Sequence, residues 1–490
     1  MIADRVRNFI RSFLRIEPPQ HRTITITEQL DYNGNAARNR IWYRGEAEEL
    51  SELYKQLPCD RTNFWSAVPT KGMEIRKIHT GLPKLMVDTL TSVVLADMNA
   101  IELPDEITSV WEEIAADNDF NGLMNTVLAQ TLCIGDGAFK ISIDTDISPY
   151  PIIEFYPGDR VEINYVRGRV REIIFKTEYA YKGTRYVLNE IYGYGYVYYE
   201  LYRDETEVPL FALPQTANLS AVTFDKSYCM AVPFKIFTGE NGRGKSIFDG
   251  KTGSFDSLDE AWSQWMYAVR MSRPQKYIPP DLLPRNPHTC EPMRPNAFDN
   301  TFIEIAEGSM PENGSGHHLE LIQPNIPHES YLSTYITALD LCLQGIISPS
   351  TLGIDTKKLD NAEAQREKEK TTLYTRNAIV QALQNTLPKL IQTVFKVYGD
   401  MTGKAFGDFD VDVPFGEYAN PSFESQVETV GKAKTQGIMS IEACVDELYG
   451  DTKDEDWKAA EVARIKAEQG ISEIEEPSIN AQLGGFKAGF

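Results

Sequence analysis

The sequence predicts an α+β protein in which helices and strands occupy separate stretches of the chain. Apolar residues recur every three to four positions in residues 255–273, 328–347 and 361–398, which is the spacing of one helix face. Between residues 152 and 202 the period falls to two, which is typical of antiparallel strands. Strands do not alternate with helices after this region, so a doubly wound parallel sheet is not expected.

The length of 490 residues is enough for two or more domains with a sizeable core. Hydrophobic residues make up 42% and aromatic residues 11% of the chain, which describes a globular protein and excludes a disordered one. The most apolar run, 85–96, is too short for a membrane span and contains Asp88, so no membrane partner is expected. The segment 2–16 lacks the apolar core of a signal peptide, and a solvated helix face is favoured there over a membrane-surface anchor.

Cysteine and histidine usage gives no pattern of a disulfide framework or a metal centre. The six cysteines are scattered without any C-x-x-C spacing, which indicates a reduced, intracellular environment. His317 and His318 are adjacent, with His288 and Cys290 as the nearest soft ligands, and a solvated loop is favoured there over a metal site. We therefore expect neither a cofactor nor a metal ion.

The elements before the first long helix follow the same two periods. Helices are predicted at residues 2–16, 46–57, 75–98, 106–116 and 119–134. Strands are predicted at 138–143, 170–179, 185–192, 197–202 and 232–237. Lys182-Gly183 is the predicted turn of a hairpin, and a packed aromatic face is favoured over base stacking for the many tyrosines of this sheet. The later elements are a strand at 409–415 and polar helices at 422–437, 440–449 and 454–469.

The long helix that starts near residue 361 has one apolar face along its length. The positions on this face are Leu373, Arg376, Val380, Leu383, Leu387, Leu390, Val394 and Val397. Pro388 has no amide donor and is expected to kink the helix. Asp360 or Asn361 is expected to cap it.

The helices predicted at 255–273 and 328–347 enclose a proline-rich segment. Residues 274–327 contain ten prolines in 54 residues, so turns and short strands are expected there. The chain is therefore expected to leave a main body along one helix, form a small separate unit and return along the other. The apolar faces with Trp262, Trp265 and Leu339 are expected to be exposed and to pack on other subunits, because large apolar patches seldom stay uncovered.

The segment 239–246, GENGRGKS, satisfies the nucleotide-binding pattern G-x-x-x-x-G-K-[ST]. In such a loop Lys245 would reach the terminal phosphates and Ser246 would hold magnesium. The context argues against this, because glycines and Asp249 interrupt the helix that should begin here, and a turn is the better interpretation. The sequence contains no G-x-S-x-G and no H-E-x-x-H motif, so an enzyme is not expected. Three carboxylates are interpreted as turn residues: Asp136, Asp144 and Asp146.

The central part of the chain resembles a known family. Helix 328–347 is followed by the loop SPSTLG (348–353) and then by NAEAQREKEKTTLYTRN (361–377). This order of helix, proline-rich unit, helix, loop and long helix resembles the portal, or head-tail connector, proteins of tailed double-stranded DNA bacteriophages, of the siphophage type. IRKIHTGLPKLMVDTLTSVV (75–94) and GDGAFKISID (135–144) fit the same family, whereas the first forty and the last twenty residues match nothing in it.

The resemblance implies a portal-like fold with an α/β wing, a helical stem, a small β-containing clip and a helical crown. The implied parts are the wing (1–254), the stem helices (255–273 and 328–347), the clip (274–327), the tunnel loop (348–360), the long wing helix with a strand (361–420), the crown (421–470) and a flexible tail (471–490). The clip would meet the packaging motor and later the head-completion adaptor.

The resemblance also implies a ring, generally of twelve subunits, at one vertex of a virion capsid, assembled in the cytoplasm of the host bacterium. The implied partners are other copies of the chain, double-stranded DNA in the channel, the terminase large subunit, major capsid and scaffolding proteins and the head-completion adaptor. Two other interpretations stay open: a P-loop ATPase-type packaging motor and a non-portal structural virion protein.

The tunnel loop is the part that the resemblance places against DNA. Its implied contact residues are Ser348, Thr351, Asp355, Thr356, Lys357 and Lys358. The net charge of −22 is opposite to that of a tight DNA binder, but weak contacts suit a channel through which DNA slides. In a ring, Lys357 and Lys358 would each form a circle of positive charge. The alternative is that both lysines only flank the long helix in solvent.

Overall fold

Helices and antiparallel strands occupy separate parts of the chain, so the predicted α+β class is confirmed. The computed structural model describes residues 30–57, 63–68, 75–239, 242–272, 275–278, 285–291, 302–304, 320–322, 325–354, 362–416, 423–449 and 455–468. The chain divides into two compact units, Met1–Phe415 and Gly416–Phe490. Among the described helices, none has the length and apolar character needed to span a bilayer.

The helices before the first strand begin and end at residues that suit helix termini. They are α1 (Tyr32–Arg44), α2 (Ala47–Gln56), α3 (Leu82–Ala96), α4 (Asp105–Asp117) and α5 (Phe120–Ile134). The Asp31 carboxylate caps α1 by accepting a hydrogen bond from the Gly34 amide. Helix α1 is not among the predicted elements, and α3 begins later than predicted because Gly81, at φ 72°, and Pro83 define its first turn. The helix predicted at 2–16 lies outside the described residues.

The strands of the first unit form two larger sheets and two small ones. They are β1 (Asp136–Ser142), β2 (Ile152–Pro157), β3 (Val161–Val166), β4 (Arg169–Tyr181), β5 (Thr184–Gly193), β6 (Tyr196–Arg203), β7 (Thr206–Val208), β8 (Val222–Thr223), β9 (Ala231–Lys235), β10 (Phe237–Thr238), β11 (Gly244–Lys245), β12 (Gln275–Ile278), β13 (Phe302–Glu304) and β14 (Glu320–Ile322). Strand β1 lies between β2 and β9. Strands β3 to β7 form an antiparallel meander, and β8 pairs with β6. The predicted hairpin turn is confirmed, with Lys182 at φ 51° and Gly183 at φ 79°.

The helices described in the second half of the first unit are α6 (Thr252–Met271), α7 (His328–Leu343) and α8 (Ala362–Thr402). Strands β12, β13 and β14 come between α6 and α7 in the chain and form one small sheet, with β12 parallel to β13 and antiparallel to β14. The prediction of a small β-containing segment between two helices is thus confirmed for the residues described there.

The apolar face predicted for α8 is confirmed, because its central positions lie in the main hydrophobic core. Leu383, Leu387 and Leu390 are fully buried, whereas Leu373 near the beginning of the helix is half-buried. Pro388 lies inside the continuous helix. The strand predicted at 409–415 is wrong, since that segment forms only two isolated bridges, from residues 412 and 415 to the segment after α3.

The described part of the second unit contains three helices, close to the bounds that the sequence predicts. They are α9 (Phe423–Thr435), α10 (Ile441–Tyr449) and α11 (Glu455–Glu468). Helices α10 and α11 are joined by an edge-to-face contact between Tyr449 and Trp457, with ring centroids 5.1 Å apart, and by an ion pair of Lys458 with Asp446.

Candidate functional site: the paired helices and the following loop

Helices α6 and α7 pack as an antiparallel pair through aromatic side chains. The ring of Trp265 is stacked on that of Tyr331, with centroids 6.4 Å apart and planes 11° apart. One turn earlier in α6, Trp262 contacts Tyr335 at 5.5 Å, so a later residue of one helix meets an earlier residue of the other. At the opposite end, the Lys251 ammonium donates hydrogen bonds to the last carbonyls of α7, at 2.8 and 2.9 Å. This lysine compensates the negative end of the α7 dipole and holds the pair together at the main body.

The residues predicted to pack on other subunits have contacts within this chain, and their packing on another subunit stays a prediction. Trp262 and Trp265 are half-buried by their α7 partners, and Leu339 is only 2% exposed. The expectation that Leu339 is exposed is therefore wrong. The helical period identifies an apolar face, but it cannot say whether the same chain or another one covers that face.

Other apolar side chains of the pair do face solvent. Val269 on α6 is 41% exposed, and Leu332 and Leu341 on α7 are 45% and 50% exposed. These three residues, the exposed aliphatic positions among the described residues of the helix pair, are ones that another subunit could cover.

The first half of α6 carries two buried carboxylates that hold neighbouring segments. Asp259 is completely buried and accepts hydrogen bonds from the Thr80 amide (2.9 Å), the Thr80 hydroxyl (2.9 Å) and the Trp65 indole (3.2 Å). His79 Nδ1 lies 2.7 Å from the same carboxylate, and because a carboxylate only accepts, the ring proton is on Nδ1. Asp259 thus ties α6 to the segments that precede α3.

The second carboxylate, Asp256, caps a short turn. It accepts hydrogen bonds from the amides of Phe64 (2.9 Å) and Trp65 (3.1 Å), and burial raises the pKa of its carboxyl above the ordinary value. Lys77 closes the same cluster by donating to the carbonyls of Trp65 and Ala67, and burial lowers its pKa. Sequence reasoning missed this carboxylate cluster, because Asp256 and Asp259 look like residues of an ordinary polar helix face.

The start of the predicted tunnel loop is packed on α8. Ser348 is 2% exposed, and its amide donates to the Thr372 hydroxyl at 2.8 Å. The hydroxyls of Thr351 and Thr372 are hydrogen-bonded at 3.0 Å. Contrary to expectation, Ser348 does not present its side chain to solvent, since it is buried against the long helix. The remaining predicted loop residues lie outside the described residues; they are Asp355, Thr356, Lys357 and Lys358. Both predicted caps of the long helix, Asp360 and Asn361, also lie outside them.

Helix α8 is joined to α3 by an ion pair one turn beyond Thr372. The Arg376 guanidinium contacts Asp97 Oδ2 through Nε and Nη2, both at 2.9 Å. The Arg376 side chain is 5% exposed and that of Asp97 is 27% exposed. Arg376 was expected on the packed face of α8, and its burial is balanced by this carboxylate.

The segment 239–246 does not form a phosphate-binding loop in the part that the structure describes. Gly244 and Lys245 form strand β11, and the next helix does not begin until Thr252. The Ser246 hydroxyl, which would hold magnesium in a nucleotide site, donates to a carbonyl of α5 at 2.6 Å. The interpretation of these glycines as a turn before α6 agrees with this geometry.

Asp136 is a buried residue of strand β1 that accepts several hydrogen bonds, and it is not the turn residue that the sequence predicted. It is 1% exposed and accepts hydrogen bonds from the Arg243 guanidinium (2.8 Å), the Gly244 amide (2.7 Å) and the Tyr32 hydroxyl (2.5 Å). Burial and the neighbouring carboxylate raise the pKa of Tyr32. Gly244 is required here, because a Cβ would lie 2.1 Å from the Gly135 carbonyl oxygen.

The described residues offer no metal centre and no activated thiol. Among them, no group of three or more histidine, cysteine or acidic side chains is placed to hold a metal ion. The pair His317-His318 lies outside the described residues. Burial raises the pKa of the Cys133 and Cys342 thiols to about 12, which makes them poor nucleophiles.

Comparison with known proteins gives matches among solved structures only. No protein-family model matches the chain, and no curated protein matches it. A chain of the "Virion of native gene transfer agent (GTA) particle" is 12% identical with a TM-score of 0.37, and the alignment covers 78% of this chain and 89% of that one. A chain of the "Neck of empty GTA particle computed with C6 symmetry" is 13% identical with a TM-score of 0.40, covering 74% and 88%. A chain of the "Neck of native GTA particle computed with C12 symmetry" is 12% identical with a TM-score of 0.40, covering 76% and 90%.

Proposed function

We propose that the chain is the subunit of a bacteriophage-type portal, a ring at one capsid vertex through which double-stranded DNA is packaged and later ejected. The observation that carries the proposal is the succession of α6, the small sheet β12–β14, α7, a loop and the 41-residue helix α8. In the architecture implied by the sequence resemblance, these elements are the stem, the clip, the tunnel loop and the wing helix.

The helix pair has the properties that a subunit of a ring needs. Lys251 and the two carboxylates of α6 fix the pair to the main body, so each subunit would present it at the same angle. Val269, Leu332 and Leu341 remain as exposed apolar positions. Each of these side chains is already about half covered, so burying the rest of it against the next subunit is favourable by about 0.7–1.5 kcal/mol. The interface would be repeated around the ring.

The strongly acidic composition suits a channel that must not hold DNA tightly. Each phosphate contact by a lysine or arginine strengthens binding and makes it salt-dependent, so a wall with few cations allows sliding. Lys357 and Lys358 are the cations that the proposal assigns to DNA contact, one circle of each in a ring of about twelve subunits. The terminase large subunit, the capsid and scaffolding proteins and the head-completion adaptor are the proposed protein partners.

Electron microscopy of the purified protein tests the ring directly. The expected image is a ring with a central channel, and a filament or a compact monomer would refute the proposal. Leu332→Glu places a charge on the exposed face of α7 and should leave folded subunits that do not form rings. Val222→Glu is the matched control, because Val222 is 48% exposed but lies on the edge of the meander. Equal loss of rings in both variants would show that a charge at any exposed apolar position prevents ring formation, and it would refute a particular role of the helix pair.

A second experiment addresses the channel. Replacing Lys357 and Lys358 by glutamate should preserve rings and proheads but reduce the DNA that is packaged or retained, because two circles of positive charge become negative. Free energies of unfolding should change little, as is usual for surface substitutions. Capsids filled to the wild-type level would show that these lysines do not contact DNA, as in the alternative that both only flank the long helix.

A further inference from the structure

The loop after α7 begins with a compact coil that hydroxyl groups of α8 hold in place. The Thr375 hydroxyl donates to the Ile346 carbonyl at 2.6 Å, and the Thr372 hydroxyl receives the Ser348 amide at 2.8 Å. Thr351 adds a third contact to Thr372 at 3.0 Å. The Ile346 carbonyl, the Ser348 amide and the Thr351 hydroxyl therefore meet two threonines that lie one turn apart on the same helix face.

Most of the residues that make these contacts are shielded from water, so their polar groups depend on one another for hydrogen bonds. Thr372 is 0% exposed, Thr375 is 7% exposed and Ser348 is 2% exposed. A buried amide that loses its acceptor keeps the full cost of desolvation, so the Ser348 amide depends on Thr372. The coil also closes on itself, because the amides of Thr351 and Ile354 donate to carbonyls of residues 348 and 349.

The helix face that holds the coil is itself fixed to the main body. One turn after Thr372, Arg376 is paired with Asp97 at the end of α3. The coil is therefore connected to α8 through Thr372 and Thr375, and α8 is connected to α3 through Arg376. Both connections lie on one side of the helix.

We propose that Thr372 is a positioning residue that fixes the root of the tunnel loop, residues 346–354, on the long helix. This inference rests on the proposed portal function and narrows it: the first seven residues of the predicted loop form a fixed anchor and take no part in contact with DNA. Without the Thr372 hydroxyl, the root would open and the direction in which the chain leaves it would vary.

The test compares three substitutions in α8 in the full-length protein. Thr372→Val keeps the shape of the side chain and removes the hydroxyl, and Thr372→Ser restores a hydroxyl. Thr393→Val is the matched control, because the Thr393 hydroxyl donates only to the Lys389 carbonyl within the same helix and is similarly buried. Hydrogen exchange of the peptide that covers residues 346–354 is measured in the purified full-length protein, whether or not it forms rings, and DNA retention is measured in assembled particles.

Thr372→Val should exchange about tenfold faster in this peptide, as expected when one buried donor loses its partner. Thr372→Ser and Thr393→Val should exchange at the wild-type rate. Particles with Thr372→Val should form rings but retain less DNA, with rescue by serine. Unchanged exchange in Thr372→Val would overturn the anchor, and faster exchange with full DNA retention would overturn its positioning role. A wild-type protein that forms no rings would instead refute the portal function and leave the exchange result intact.

Discussion

Replacing Asp259 by alanine should lower the free energy of unfolding of the first unit by about 3–5 kcal/mol. The carboxylate is completely buried and accepts four hydrogen bonds, two from Thr80 and one each from Trp65 and His79. Each donor that loses its partner inside the protein costs about 1–3 kcal/mol. The Thr80 hydroxyl can rotate toward another acceptor, and removal of a buried charge relieves some desolvation, so the total stays below the sum of four such losses.

The asparagine variant should be much milder and thereby tests which groups matter. Its amide oxygen can still accept both hydrogen bonds from Thr80. Its NH₂ group would face the other two donors, but His79 can shift its ring proton to Nε2, which has no partner in the structure, and accept at Nδ1. Only the Trp65 indole is then left in conflict, so Asp259→Asn should cost about 1–3 kcal/mol.

Urea titrations followed by tryptophan fluorescence measure both variants, since Trp65 lies in the cluster. Asp340→Ala is the control, because Asp340 is an exposed acidic residue on the partner helix α7 and its loss should change stability by less than about 0.5 kcal/mol. Equal midpoints for Asp259→Ala and Asp340→Ala would refute the view that this carboxylate holds the segments before α3 on α6. An asparagine variant as unstable as the alanine one would refute the proposed exchange of the His79 proton.

Three further outcomes are expected. Arg376→Met should lower the free energy of unfolding by about 2 kcal/mol, less than for a fully buried pair because Asp97 keeps some contact with water; urea midpoints measure this, and no change would mean that the ion pair is dispensable. In the second unit, the Lys466 ammonium lowers the pKa of Glu442 from 4.5 to about 2, so its stabilising contribution is complete above pH 4.5 and is lost as the pH falls towards 2. The difference in urea midpoint between wild type and Glu442→Gln should therefore be present at pH 6 and largely lost at pH 2, and a difference as large at pH 2 as at pH 6 would contradict the pairing. Lys245→Ala should change neither ring formation nor ATP binding, because we expect no nucleotide binding in either form; ATP affinity that is present in the wild type and lost in the variant would revive the motor alternative.

Helices and strands whose apolar residues recur at a regular spacing could be predicted from the sequence, because the buried positions of such an element repeat at the period of its backbone. The face of α8 is the clearest case, since every apolar position named for it except Leu373 is buried. The turn at Lys182-Gly183 was predictable from its residue types, which accept positive φ. Helix α1 was missed because its buried residues, Ala36, Asn39 and Trp42, include a polar one and form no continuous apolar stripe.

The contacts of the candidate site could not be predicted in the same way. Ser348 and Thr351 were identified as loop residues, but a hydroxyl gives no sequence signal that it will be buried against another helix. The same holds for Asp256 and Asp259, whose partners lie about 180 to 195 positions away in the chain. Polar groups become structural only when tertiary packing removes water from them, and a one-dimensional pattern does not contain that information.

The change in character along α6 indicates where the proposed stem joins the main body. One face of its first half is buried up to Ser263, with Phe255 1% exposed and Asp259 completely buried. Beyond Ser263 no residue of α6 is buried, and ring contacts such as that of Trp265 with α7 hold the helix. Hydrogen bonds to buried carboxylates fix both distance and direction, whereas ring contacts tolerate small changes of angle. A tilt of the helix pair would therefore bend α6 near Ser263 and leave the carboxylate cluster in place.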